Sequence, residues 1–264
     1  MKRRHLIAIL FIATSFFLSA GFALANGEGN QAAPVAVAES APTLEDGARL
    51  EELAVLLGQS TTGGQLLELK EAYQVNVRFV SGQGSSFNQA ANRIRLDSSM
   101  APLKAALIFA HEMHHARTFH EGKKAHRRSL SRQVYVTQML WDESQAMAVS
   151  IQLKMELEEN GVDVTGASMA FEDDYIRAYR IAAAQARLSD ASADAQQLDA
   201  IGQEAGVQAL YETHLRGETR TANTKEACRD YYGRQWDEAN PIKALLASLF
   251  SDATPSAAPV HEGA

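Results

Sequence analysis

"LIFAHEMHHARTF", Leu107 to Phe119, decides how this chain is read, because four of its eight histidines fall between positions 111 and 120, directly after an apolar run. "LKAALIFA", from Leu103 to Ala110, is apolar almost all round, which predicts a helix inserted into a core rather than laid on a surface. Pro102 suits the first turn of this helix and Gly122 its end, just past His120. Within it, "HEMHH" matches H-E-x-x-H. At about 100° per residue, His111 and His115 lie within about 40° of each other on one face, one turn apart. Two imidazoles so placed reach one zinc ion at about 2.0–2.1 Å, with Glu112 turned aside to meet a water on that ion. Ordinary helix histidines, with His111 satisfied by a core hydrogen bond, are the bland alternative. A core helix that ends by presenting two ligands argues against it.

A catalytic zinc needs a third protein ligand and an open fourth position. One option is Glu121, six residues past His115, but a chain reversal there calls for glycine at position 118, where Thr stands. His120 is near in sequence but on the wrong face. The other option is a glutamate from the next helix, in "QMLWDESQAMAVSIQL". Glu143 shares a helical stripe with Val136, Met139, Leu140, Ala146, Met147 and Ser150, so one carboxylate sits on an otherwise apolar or small-residue face. A buried unpaired carboxylate costs several kcal/mol, so a metal or a cation is expected beside it. Ala146, one turn on, lets the two helices approach. Asp142 points about 100° away and is placed to orient a ligating histidine.

Outward from this core the periods change. "LEDGARLEELAVLLG" and "GGQLLELKEAYQ" have helical spacing. "VNVRFV" and "NRIRL" alternate, which predicts two strands joined as a hairpin by the Gly/Ser-rich "SGQGSSFNQA". A longer helix is expected from about Ser131 to Glu159, stopped at Asn160-Gly161, and the pattern from Phe171 to Phe250 is again helical. The fold class is therefore mainly α with a small, short antiparallel β-sheet (α+β) beside the central helix, and a helical C-terminal half. The connection "GKKAHRRSLSR" concentrates Lys123, Lys124, Arg127, Arg128 and Arg132; it reads as a solvated loop, with acidic peptides or a lipid surface as the alternative partners.

The ends are of a different kind. Residues 1–25 have a basic start in Lys2, Arg3 and Arg4, an apolar stretch from Leu6 to Leu18 and an Ala23-Leu24-Ala25 cleavage signal, which predicts a secretory signal peptide. An uncleaved anchor is the alternative. Residues 26–42 read as a flexible linker, 43–250 as one folded domain and 251–264 as a disordered tail. The expected address is periplasmic or secreted, with no integral membrane segment after cleavage. A net charge of −7 with no basic groove argues against nucleic acid. Cys228 is the only cysteine, so no intramolecular disulfide forms, and a buried, inert thiol is expected.

His111-Glu112-x-x-His115 with Glu143 on the following helix resembles the gluzincin branch of zinc metallopeptidases, and is most like uncharacterised bacterial members of that type. The resemblance covers roughly Val75 to Met155. It implies a zincin-like domain, one zinc ion held by His111, His115 and Glu143, and hydrolysis of peptide or protein substrates by a zinc-activated water with Glu112 as general base. It also implies that a strand before the active-site helix, here Asn92 to Asp97, pairs with an extended substrate. Some relatives carry E-x-x-A-D around the third ligand; this chain has Glu143-Ser-Gln-Ala146-Met147, so support for a histidine must come from elsewhere, with Asp142 the candidate. Transition-state stabilisation in the family often comes from a downstream His or Tyr, for which Tyr211, His214, Tyr231 and Tyr232 are candidates, with His114 a possible supporting residue. The competing expectation is a non-catalytic, zinc-binding helical adaptor or binding module of the cell envelope. Oligomeric state is not legible.

Overall fold

The structure is a computed structural model that describes residues 44–82, 84–221 and 224–251. The expected signal peptide and linker lie outside the described residues, as does the tail beyond Ser251. Helices α1 (Leu44–Leu57) and α2 (Thr61–Ala72) come first, then strands β1 (Asn76–Val80), β2 (Ser86–Asn88) and β3 (Arg93–Asp97). Helices α3 (Pro102–His120), α4 (Arg132–Glu159), α5 (Glu172–Ser189), α6 (Ala195–Leu215), α7 (Cys228–Ala239) and α8 (Pro241–Ser251) follow. The chain is mainly helical with a small sheet, as its periods imply.

Local chemistry sets the helix ends. The Ser60 side chain accepts from the Gly63 N–H at 2.9 Å and starts α2 two residues before the apolar spacing does. Ser131 accepts from the Val134 N–H at 3.3 Å and starts α4. Pro102 opens α3 without a side-chain cap. Asp194 and Gln197 form a capping box at the start of α6.

The sheet differs from the expected hairpin. Strand order is β1-β3-β2, with β1 parallel to β3 and β2 antiparallel to it, so the sheet is mixed rather than antiparallel. The segment expected to be a loop contains β2, and the tight turn is the one from Gln89 to Asn92, where Asn92 takes φ 45°. Its side chain steadies that turn by donating to the Tyr73 and Gln74 carbonyls at 2.9 and 3.1 Å. Three residues of β2 are too few to show an alternating pattern, which is why the sequence reads as a loop. The expected pairing of Asn92–Asp97 with substrate is corrected as well. Both edges of β3 are taken, and β2 is an edge strand.

Val77, Phe79, Ile94 and Leu96 point from the sheet into a core shared with α1, α2 and α3. Leu107, Phe109, Ala110, Met113 and Ala116 of α3 are fully buried there, as expected of a helix apolar on every side. Helix α4, about 42 Å long at 1.5 Å per residue, is the spine. Its later turns join that core through Leu153 and Leu157, while Tyr135, Val136, Met139 and Leu140 pack with α7 and Met147, Ala148 and Ile151 pack with α5 and α6. Ser150 donates to the Leu107 carbonyl at 2.7 Å and ties α4 to α3.

Candidate metal centre

Helices α3 and α4 bring three side chains to one point. His111 Nε2 and His115 Nε2 are 3.2 Å apart; Glu143 Oε2 is 3.4 Å from His111 Nε2, and Glu143 Oε1 is 3.7 Å from His115 Nε2. A tetrahedral ion with nitrogen and oxygen ligands at about 2.0–2.1 Å spaces them about 3.3 Å apart, close to the 3.2 Å between the imidazole nitrogens and the 3.4 Å from His111 Nε2 to Glu143 Oε2, while the second carboxylate oxygen faces His115. The three side chains are 17–18% exposed, enough to leave a fourth direction open.

Neighbouring groups hold these three side chains in orientation. Asp142 Oδ2 lies 2.8 Å from His115 Nδ1, and Oδ1 takes His114 Nε2 at 3.2 Å and the Thr118 hydroxyl at 3.0 Å. A carboxylate only accepts, so His115 carries a proton on Nδ1 and turns Nε2 toward the convergence point. The Tyr232 hydroxyl, on α7, donates to Glu143 Oε1.

Charge reinforces this geometry. Burial opposes a charged His115, but the Glu143, Asp142 and Glu112 carboxylates outweigh it and hold the metal-free ring up to about 9. Burial also opposes ionised Glu143 and Asp142, yet the histidines, with Tyr232 for Glu143, keep both carboxyls well below the usual carboxylate range. The negative surroundings that keep a proton on His115 favour a divalent cation in its place.

Residues 28–250 match a family model described as "Putative metallopeptidase family (DUF6782)". The chain belongs to this family. No curated protein and no solved structure matches it. A metallopeptidase family implies a bound metal, and among the described residues His111, His115 and Glu143 are the one group of such side chains able to hold an ion.

Other residues expected at the metallopeptidase site separate into those near the triad and those elsewhere. Glu112 is 8% exposed, and its Oε2 accepts from the Phe87 N–H of β2 at 2.8 Å. His214 is buried on α6, with Nδ1 2.9 Å from the Leu210 carbonyl and 3.2 Å from the Ser144 hydroxyl. Burial lowers its pKa, and Glu143 and His111 act on it electrostatically, so it stands beside the triad. His114 lies on the Asp142 flank. Tyr211 packs edge-on to Trp141 at 5.3 Å, lining a cleft with His114 and Asp142, and Tyr231 packs on Tyr232 and under Arg234. Glu121 is held by Arg117 and Lys123 at 2.7 and 2.6 Å, which removes it as a ligand candidate. His120 stacks on Tyr73 with centroids 4.6 Å apart.

Two partners lie outside the sequence reading. The Phe87 amide has no side-chain signature, and Thr118 entered that reading only as the residue that rules out a chain reversal. A hydroxyl one turn past His114 on α3 is the signal that could have marked Thr118.

Proposed function

We propose that this chain is an exported zinc metallopeptidase of gluzincin type, in which His111, His115 and Glu143 hold one zinc ion and Glu112 is the general base. The observation that carries this reading is the convergence of His111 Nε2 and His115 Nε2, 3.2 Å apart, with the Glu143 carboxylate, whose two oxygens lie 3.4 Å from the first and 3.7 Å from the second, and with Glu112 on the same helix as the histidines. The donor set of two imidazoles and one carboxylate suits zinc in a catalytic rather than a structural role, because it leaves a position open. Zinc bound there would supply a Lewis acid that brings the pKa of water toward about 7 and polarises a carbonyl.

The remaining work falls to side chains. Phe87 N–H holds Glu112 Oε2, and Oε1 has no hydrogen-bond partner among the described residues, so it is placed to take the proton of an attacking water and deliver it to the leaving amine. Asp142 fixes the tautomer of His115, and Tyr232 fixes the rotamer of Glu143. His214 and Tyr232 are the downstream candidates nearest the reacting centre. Strand β2, an edge strand beside Glu112, is where an extended peptide would meet the sheet. The basic start, apolar stretch and Ala-Leu-Ala signal of residues 1–25 support export to the periplasm or beyond.

Glu112→Gln tests the assignment. Hydrolysis of a mixed peptide library should fall by about 10²–10⁴-fold while one zinc per chain is retained. Fully zinc-loaded wild-type protein that cleaves no peptide in a diverse library would assign the chain to the non-catalytic binding module instead.

A further inference from the structure

A row of aromatic rings, outside the ligand set, begins at the proposed general base. Phe87, whose N–H holds Glu112, packs its ring on Phe119 with centroids 5.9 Å apart. Phe119 packs on His120 at 5.3 Å, and His120 stacks on Tyr73 at 4.6 Å with the two planes 7° apart. Tyr73 and Phe87 are half-buried, whereas Phe119 is 37% exposed and His120 is exposed as well. Apolar residues exposed singly are ordinary, but a continuous row of rings is not a scatter.

Helical phase places this row. At about 100° and about 1.5 Å per residue, Phe119 lies about 40° around α3 from His115 and about 6 Å along it, and about 20° and about 10.5 Å from Glu112. The Phe119 ring therefore stands on the face of α3 that carries the base and a proposed ligand, one turn beyond them. The row is also held rigidly. Asn92 spends both amide protons on the Tyr73 and Gln74 carbonyls, so its Oδ1 accepts from His120 Nε2 at 2.9 Å. Rings already fixed lose little freedom when a ligand covers them. Glu121, which the Tyr73 hydroxyl reaches at 3.5 Å, is already paired with Arg117 and Lys123, so it is not left over to draw a cationic side chain.

We infer that Phe119 and Phe87 form the binding surface for a large apolar side chain of the peptide substrate, two or three residues from the bond that is cut, with His120 and Tyr73 as its rigid backing. This names the substrate class of the proposed peptidase and rests on that reading. Side chains of a strand alternate between its two sides, so every second residue of a peptide laid along the edge of β2 faces the side that the Phe87 ring occupies, and that ring packs on Phe119. The distance agrees. An extended peptide advances about 3.3 Å per residue, so the offsets of about 6 and about 10.5 Å from His115 and Glu112 to Phe119 correspond to about two to three residues.

The test uses the zinc-loaded chain and a set of internally quenched peptides that carry phenylalanine or serine at each position on either side of one cleaved bond. At one position, two or three residues from that bond, phenylalanine should raise kcat/KM about tenfold over serine. Phe119→Ser should bring this ratio to within about twofold of unity, and Phe119→Leu, which keeps the apolar surface, should restore most of it, both at unchanged helix content and zinc stoichiometry. The same peptides, bound to zinc-loaded Glu112→Gln and followed by fluorescence anisotropy, should show the preference without turnover and lose it in Glu112→Gln/Phe119→Ser. Rates indifferent to the side chain at these positions overturn the inference while leaving the peptidase reading intact. So does a preference that survives Phe119→Ser, or one lost equally in the serine and leucine variants. If the wild type cleaves no peptide, the peptidase reading falls and binding decides. Phe119-dependent binding of the phenylalanine peptides would then uphold the surface on a non-catalytic module, and equal binding or none would overturn it.

Discussion

Replacing Asp142 by Asn keeps the shape of the side chain and removes its charge. In the wild-type protein this carboxylate receives His115 Nδ1 at 2.8 Å, His114 Nε2 at 3.2 Å and the Thr118 hydroxyl at 3.0 Å, so one group keeps a proton on Nδ1 of a proposed ligand and anchors its flank. An amide can still accept through its oxygen, but it offers one acceptor where there were two, and it stops raising the basicity of His115. Loss of such a partner of a ligating histidine costs about 10–100-fold in metal affinity, or about 1.4–2.8 kcal/mol. Competition with a chromophoric zinc chelator, under identical buffer and pH, measures this directly. Asp142→Asn should bind one zinc per chain with a dissociation constant raised by that factor, while Glu143→Gln, which removes a proposed ligand, should lose more. Zinc affinity within twofold of wild type would refute the argument that Asp142 orients His115. A loss as large as that of Glu143→Gln would refute the division between ligand and supporting residue.

Tyr232→Phe removes the hydroxyl that holds Glu143 Oε1 and should weaken zinc binding about tenfold in the same competition, with no change in helix content. Burial first, and then the Glu143 charge, push the Cys228 thiol up to about 11. A raised thiol pKa leaves the neutral form dominant below that value, so at pH 8 native protein should react with a disulfide reagent far more slowly than guanidinium-unfolded protein, its rate rising about tenfold per pH unit until the titration is reached. Gly206→Ala would set a methyl group 2.4 Å from the Tyr175 ring where α6 crosses α5, so it should destabilise the fold by about 1–3 kcal/mol in urea unfolding while leaving the zinc stoichiometry at one.

Short-range periodicity carries much of this protein. Pro102 and Gly122 bracket α3 to the residue, and the i, i+4 placement of His111 and His115 follows from helix geometry alone. Glu143 stands out because a lone carboxylate on an apolar stripe has a desolvation cost that only a cation or metal offsets, and that argument needs no coordinates. The same reasoning placed Asp142 to one side of the stripe, where the structure has it bracing His115.

What tertiary structure decided are the choices between residues of similar local character. Tyr211, Tyr231 and Tyr232 are indistinguishable as aromatics at helical spacing, and only the packing of α7 on α4 brings Tyr232, 89 residues away in sequence, to Glu143. The parallel pairing of β1 with β3 was also hidden, because two alternating runs joined by a flexible connection fit a hairpin as well as a three-stranded sheet, and β2 is too short to announce itself. Least legible of all was the Phe87 amide on Glu112, a main-chain donor whose position depends on the register of an edge strand. Sequence determined which residues could serve a metal, since helical phase is local. Which of the candidates meet was left to the packing of α4, because that depends on contacts between segments the chain holds far apart.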